Sequence, residues 1–176
     1  MPDTDKHAAT ITPVENRSIV SLKVFRSSIA EAHNRLTLAE PLCAAECEFQ
    51  SLWLGPGYWL LVSDTVEPGA LTERCNETLA GLVYQAIDKS AGLAVFRVTG
   101  DGGRELLATG SGLDLRAGRF SSGDCCRTRM AKIATTVVAA RSDTLEVYLD
   151  RSHAHYFSKW FNDAAIIAAL AVVAHA

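Results

Sequence analysis

Leu52-Trp53-Leu54-Gly55-Pro56-Gly57-Tyr58-Trp59-Leu60-Leu61-Val62-Ser63 sets two apolar, aromatic-rich runs on either side of a Gly-Pro-Gly break. Such runs flanking a turn signal read as two strands joined in a hairpin. Trp53 and Trp59 are two of the three tryptophans in the chain, yet no side chain here offers an acid, a base or a metal ligand. The hairpin is therefore a matter of packing or recognition.

On its N-terminal side, Ser28 and Glu31 have capping-box spacing, which predicts a helix over residues 29–39 stopped by Pro41. Residues 1–20 lack apolar periodicity and are expected to form a flexible or partner-bound arm, leaving 21–176 as the folded module. On the C-terminal side, Pro68 opens a helix whose Leu71, Cys75, Leu79 and Leu82 recur at helical spacing. Strands are predicted over 83–87 and 93–98, then a short helix capped by Asp101 and ended by Gly110, with a loop over 110–115. Three more strands fall over 125–131, 134–140 and 145–149; in the last, Leu145, Val147 and Leu149 are expected inward, Glu146 and Tyr148 outward. A closing helix from about Ser152 carries Tyr156, Trp160, Ala164 and Ala168 on one stripe, and its second half is apolar all round. Such a segment must be covered on every side, more than a chain of this size supplies by itself, so a partner surface is expected. Hairpin-like links without regular βαβ alternation indicate an α+β fold of antiparallel or mixed sheets with packed helices, in two small lobes.

Composition narrows the function. The 176 residues are 48% hydrophobic and 21% charged, an ordinary globular balance. A net charge of −3, without any basic, aromatic-interleaved patch, argues against a nucleic-acid partner. The N-terminal segment lacks a signal-peptide core, and the uncharged run over 164–173 is shorter than the roughly 20 residues a spanning helix requires. Five cysteines (Cys43, Cys47, Cys75, Cys125 and Cys126) make an odd count with no CxxC pair, as expected of reduced thiols in a cytoplasmic chain.

Candidate chemistry is sparse. Thr99-Gly100-Asp101-Gly102-Gly103 precedes a helix but lacks both GxGxxG and the P-loop ending, so a strand-to-helix turn explains it better than a phosphate cradle. His153 and His155, near Asp150, lack a third metal ligand. Cys125 and Cys126 point to opposite faces of a strand with no adjacent base to activate them. Asp88, Asp101 and Asp114 are scattered and form no carboxylate pair. Arg127 and Arg129 share one strand face, suited to carboxylates on a partner or an anionic ligand, or else simply solvated. No catalytic, cofactor-binding or metal-binding residue is assigned.

The ordered motifs nevertheless carry a resemblance. Leu52-Trp53-Leu54-Gly55-Pro56 with Trp59-Leu60-Leu61-Val62 is followed by Asp88-Lys89-Ser90 and a strand ending at Gly100. Then come Gly110-x-x-Leu113-Asp114-Leu115, Phe120-x-x-Gly123-x-Cys125-x-x-Thr128, and Arg151-Ser152-x-Ala154-x-Tyr156 with Trp160. Across residues 45–165 this series resembles the gamma subunit of heterotetrameric sarcosine oxidase.

The resemblance implies a cytoplasmic complex of alpha, beta, gamma and delta chains. Such complexes demethylate sarcosine oxidatively to glycine, form hydrogen peroxide and pass the one-carbon unit to tetrahydrofolate. FAD, FMN, NAD and tetrahydrofolate would belong to partner subunits, with zinc on delta and no cofactor on this chain. The gamma fold is similar to the N-terminal, folate-binding part of the glycine-cleavage aminomethyltransferase. Folate-dependent members of that group carry acidic residues where this chain has Lys132-Ile133-Ala134-Thr135-Thr136, so the carboxylate expected to assist transfer to folate is missing. The expectation is a non-catalytic accessory subunit whose interface includes Arg127, Arg129, Trp59 and Trp160. Two alternatives stand beside it: a stand-alone folate- or ligand-binding domain, and a thiol enzyme using Cys125 or Cys126.

Overall fold

A computed structural model describes residues 9–46, 48–100 and 102–174, so Cys47 and the expected helix cap Asp101 lie outside the described residues. In chain order the elements are β1 (Thr10–Val14), β2 (Ser18–Val24), α1 (Ile29–Arg35), β3 (Ala44–Glu46), β4 (Gln50–Gly55) and β5 (Tyr58–Ser63). They continue with α2 (Ala70–Thr78), β6 (Tyr84–Asp88), β7 (Leu93–Thr99), α3 (Gly103–Thr109), β8 (Cys125–Met130), β9 (Ile133–Arg141), β10 (Thr144–Asp150) and α4 (Ala154–Ala174). The chain divides into two compact units, one of residues 15–93 and 123–126, the other of the preceding segment up to 14 with 94–122 and 127 onward. The α+β reading with two lobes holds.

The 15–93 unit is built on the hairpin. β4 and β5 pair antiparallel with Trp53 opposite Trp59, at the centre of a sheet ordered β3-β4-β5-β2-β6. Its turn needs glycine at Gly57: φ is +67°, and an added Cβ would lie 2.6 Å from the Val24 carbonyl oxygen. In return the Val24 N–H donates to the Gly57 carbonyl at 2.8 Å. Val20, Leu22, Trp59 and Leu61 from the strands pack with Ala32 of α1 and with Leu71, Cys75 and Leu79 of the α2 region as one buried cluster.

The other unit carries a sheet ordered β1-β7-β10-β9-β8 together with α3 and α4. Phe96 of β7 meets Phe157 of α4 with ring centroids 5.6 Å apart, and Phe157 and Phe161 are buried.

Several expectations are corrected. Residues 10–20, expected within an arm, supply β1 and the start of β2; β2 sends Val20, Leu22 and Val24 into the core, while Arg17 is buried in a two-pronged ion pair with Asp64. Residues 1–8 of that arm lie outside the described residues. The Ser28 hydroxyl accepts from the Val83 N–H instead of capping α1, and Glu31 pairs with Arg35 at 2.8 Å, so no capping box forms. α1 ends at Arg35 because Leu36, Leu38 and Ala39 bury as extended chain. α2 begins at Ala70 behind Gly69, past Pro68.

Glu146 and Tyr148 are buried, not outward. The alternation of β10 is as read, but both faces of this central strand are covered. The Glu146 carboxylate is compensated by Arg97 Nη2 at 2.8 Å and by the Tyr148 hydroxyl at 2.9 Å.

Candidate partner interface

Asp88, Asp114 and Asp150, the aspartates nearest the sequence motifs, have local structural partners. Asp88 accepts from the Ser90 N–H, Asp150 caps the turn before α4 through the Ser152 N–H, and Asp114 pairs with Arg116, which pulls its carboxyl down to about 2. The Gly103 N–H donates to the Gly100 carbonyl, so a donor of the supposed phosphate cradle closes a turn. His153, in the short turn before α4, and His155, in its first turn, are exposed, and among the described residues no group of three His, Cys, Asp or Glu side chains is placed to hold a metal. Burial pushes the Cys125 thiol up to about 12 and the Cys75 thiol to about 11, and it raises Cys126 as well. Thiols held in the neutral form are poor nucleophiles. Cys125 also donates weakly to the Trp53 carbonyl at 3.5 Å.

The four residues expected at an interface separate. Trp59 belongs to the interior: its Nε1–H donates to the Ala39 carbonyl at 2.9 Å and the His33 ring meets it edge-on at 5.5 Å. It offers no surface, and Trp53 packs against the same core. Trp160 is half-buried beside Phe157, with its ring over Gly110. A Cβ at Gly110 would lie 2.4 and 2.7 Å from two ring carbons, so only glycine admits this approach.

Arg127 and Arg129 are both exposed on β8. Arg129 additionally donates to the Lys132 carbonyl at 2.7 Å, hooking the β8–β9 turn. That turn has positive φ at two non-glycine residues, 48° at Ala131 and 70° at Lys132, the geometry of a two-residue hairpin turn that normally selects Asn or Gly. It is held by its surroundings: the Ala131 N–H donates to the Gly110 carbonyl at 2.9 Å, and the Tyr156 hydroxyl donates to the Ala131 carbonyl at 3.0 Å. Nothing in Met130-Ala131-Lys132-Ile133 signals such a turn, so sequence reasoning missed it. Lys132→Gly relieves the backbone and should stabilise the protein by about 0.5–1 kcal/mol, raising Tm by a few degrees in a calorimetric scan.

The feature with most surface to offer is the end of α4. Its inward stripe is Phe157, Phe161 and Ala164, which keeps Ala164 of the expected stripe but puts Phe157 and Phe161 in place of Tyr156 and Trp160, so Tyr156 is exposed. From residue 166 even that stripe loses its cover: Ile166, Ile167 and Leu170 are 59%, 67% and 64% exposed, and Ala168 and Ala169 are exposed as well. On the outer face the polar pair Lys159–Asp163, joined at 2.7 Å, gives way to this apolar end. Among the described residues nothing covers this end of the helix, and its isoleucines and leucine form an apolar patch on the surface.

Among solved structures, the chain is similar to the heterotetrameric sarcosine oxidase from Corynebacterium sp. U-96 in complex with pyrrole 2-carboxylate. They share 21% identity with a TM-score of 0.81 over 91% of this chain and 85% of that one. It is also similar to glycine cleavage system aminomethyltransferase T from Bartonella henselae, at 11% identity and a TM-score of 0.66 over 90% of this chain and 46% of that one. At these identities the likenesses speak to the fold. No curated protein sequence matches the chain. Residues 24–167 match the family described as "Sarcosine oxidase, gamma subunit family".

Proposed function

Because the chain belongs to the sarcosine oxidase gamma subunit family, we propose that it is the non-catalytic accessory chain of a heterotetrameric oxidase. In this reading the complex demethylates sarcosine oxidatively to glycine, with formation of hydrogen peroxide and transfer of the one-carbon unit to tetrahydrofolate. The chemistry resides on alpha, beta and delta partner chains, which hold FAD, FMN, NAD, tetrahydrofolate and zinc, and the assembly works in the cytoplasm. No described helix is long and apolar enough to cross a membrane. The observation that carries the reading is the bare apolar end of α4, on a chain whose Asp88, Asp114 and Asp150 carboxylates are engaged in local structure and whose Cys125 thiol is held neutral by burial.

Affinity purification of the tagged chain from its native host tests it. Recovery with flavin-bearing chains is the expected result, and recovery alone would overturn it. The alternative, a stand-alone folate-binding domain, has the aminomethyltransferase-like fold in its favour. Calorimetric titration of the isolated chain with tetrahydrofolate separates the two: the accessory role predicts flat heats.

Arg127 and Arg129 form the polar part of the proposed interface, suited by their paired guanidinium groups to carboxylates on a partner. Changing both to Ala should weaken assembly by about tenfold at low salt and by less at 0.5 M, as measured by surface binding to the partner chains. Affinity equal to that of the wild type at all salt concentrations would show that the pair takes no part in the interface.

A further inference from the structure

The open edge of the β3-β4-β5-β2-β6 sheet is β6, Tyr84–Asp88, which pairs on its inner side with β2 in a single unbroken register. The Phe25 N–H donates to the Val83 carbonyl at 2.9 Å and the Lys89 N–H to the Ile19 carbonyl at 2.7 Å. In an antiparallel ladder bonded pairs alternate, so residues 83, 85, 87 and 89 bond to β2, while the N–H and C=O groups of Tyr84, Ala86 and Asp88 point away from it. Among the described residues no further strand receives them.

Natural edges are blunted by proline, by lysine, by bulges or by a covering element. Tyr84-Gln85-Ala86-Ile87-Asp88 contains no proline and no lysine, and its register shows no bulge. The side chains reinforce the point. Tyr84 and Ala86 pack against the core, while the opposite face of the same edge bares Val83 at 60% and Ile87 at 39%, beside Phe25 at 65% on β2's continuation. Three of the large apolar side chains that the protein exposes thus line one strand edge with free main-chain groups.

We infer that β6 is a site of strand addition. It accepts an extended segment of a partner subunit that bonds to the main chain at Tyr84, Ala86 and Asp88 and lays apolar side chains, at alternate positions, over Val83, Ile87 and Phe25. The choice of a partner subunit as occupant rests on the accessory-subunit reading above. Main-chain bonds supply affinity in such an arrangement, and the alternate side chains supply specificity.

Ala86→Pro tests it, because the lost N–H is one that β2 does not use and edge strands tolerate proline. Gln85→Pro, which removes an inward N–H, is the control for a fold defect. In co-expression with the partner subunits, Ala86→Pro should retain the wild-type melting temperature of the free chain within a few degrees and lose assembly by about tenfold or more. Amide exchange on the wild-type protein gives a second reading: Tyr84, Ala86 and Asp88 should exchange fast in the free chain and slowly in the complex, with Gln85 and Ile87 slow in both. Equal assembly of Ala86→Pro and wild type, or unchanged exchange at the three outward amides, would overturn the inference and leave the subunit reading standing. Wild-type chain that captures no partner subunit overturns both. Protection arising in the pure chain with a concentration-dependent dimer would assign the edge to a second copy and overturn the partner-strand assignment.

Discussion

Deleting residues 166–176 should leave a folded chain that partner subunits no longer capture. Residues 166–174 are the last nine positions of α4, about 13 Å of helix. Over 166–170 no side chain is buried, so removal should shift Tm by no more than a few degrees. The complex loses far more. Burying one large aliphatic side chain contributes about 1.5–3 kcal/mol, and Ile166, Ile167 and Leu170 are each roughly two-thirds exposed in the free chain. Covering all three therefore contributes about 3–5 kcal/mol, and losing that cover weakens binding by about 10²–10⁴-fold. A full-length variant with Ile166→Gln, Ile167→Gln and Leu170→Gln should show the same loss while keeping the helix. A fall in Tm beyond about 10 °C in either variant, with assembly intact, would mean that the segment packs on its own chain.

Gly110→Ala should cost about 3 kcal/mol, or about 6–12 °C in Tm for a chain of this size. The added methyl would overlap two ring carbons of Trp160 and come within 3.1 Å of the Ala131 nitrogen. The indole cannot retreat easily, because Phe157 lies on its inner side with ring centroids 5.6 Å apart. The Gly110 carbonyl is also the acceptor that holds Ala131 in its left-handed conformation. One substitution therefore loads the helix and the strained turn together. The double variant Gly110→Ala with Trp160→Leu should recover at least about 1 kcal/mol relative to the sum of the two single changes. Strict additivity in thermal denaturation would show that the clash is relieved elsewhere.

How far the sequence can be read depends on whether the signal is local. The hairpin was legible because Gly55-Pro56-Gly57 and the flanking aromatics sit side by side, and α4 was legible because its apolar run is continuous. β1 was not: Thr10-Ile11-Thr12-Pro13-Val14 is a polar edge strand, and its pairing with β7 is fixed by residues far along the chain. Burial of Glu146 was illegible for a similar reason. A glutamate on an alternating strand reads as outward unless the Arg97 guanidinium, on a different strand, is known to meet it. At the candidate interface, residue type pointed to tryptophan but did not say which tryptophan faces in, and Trp59 does. The bare face of β6 could not be foreseen, since Val83 and Ile87 look like any buried strand until the sheet order makes them an edge.

The pairing of β1 with β7 has a consequence in time. Thr10 bonds opposite Thr99 and Val14 opposite Val95. At about 5–20 residues per second, β1 waits on the order of ten seconds after its own synthesis for its neighbour to be made. β2 meanwhile finds β5 and β6 within the stretch that follows it directly. Order of synthesis and order of assembly therefore run opposite ways for these two strands, and β1, made before β2, is placed only after the hairpin has closed behind it.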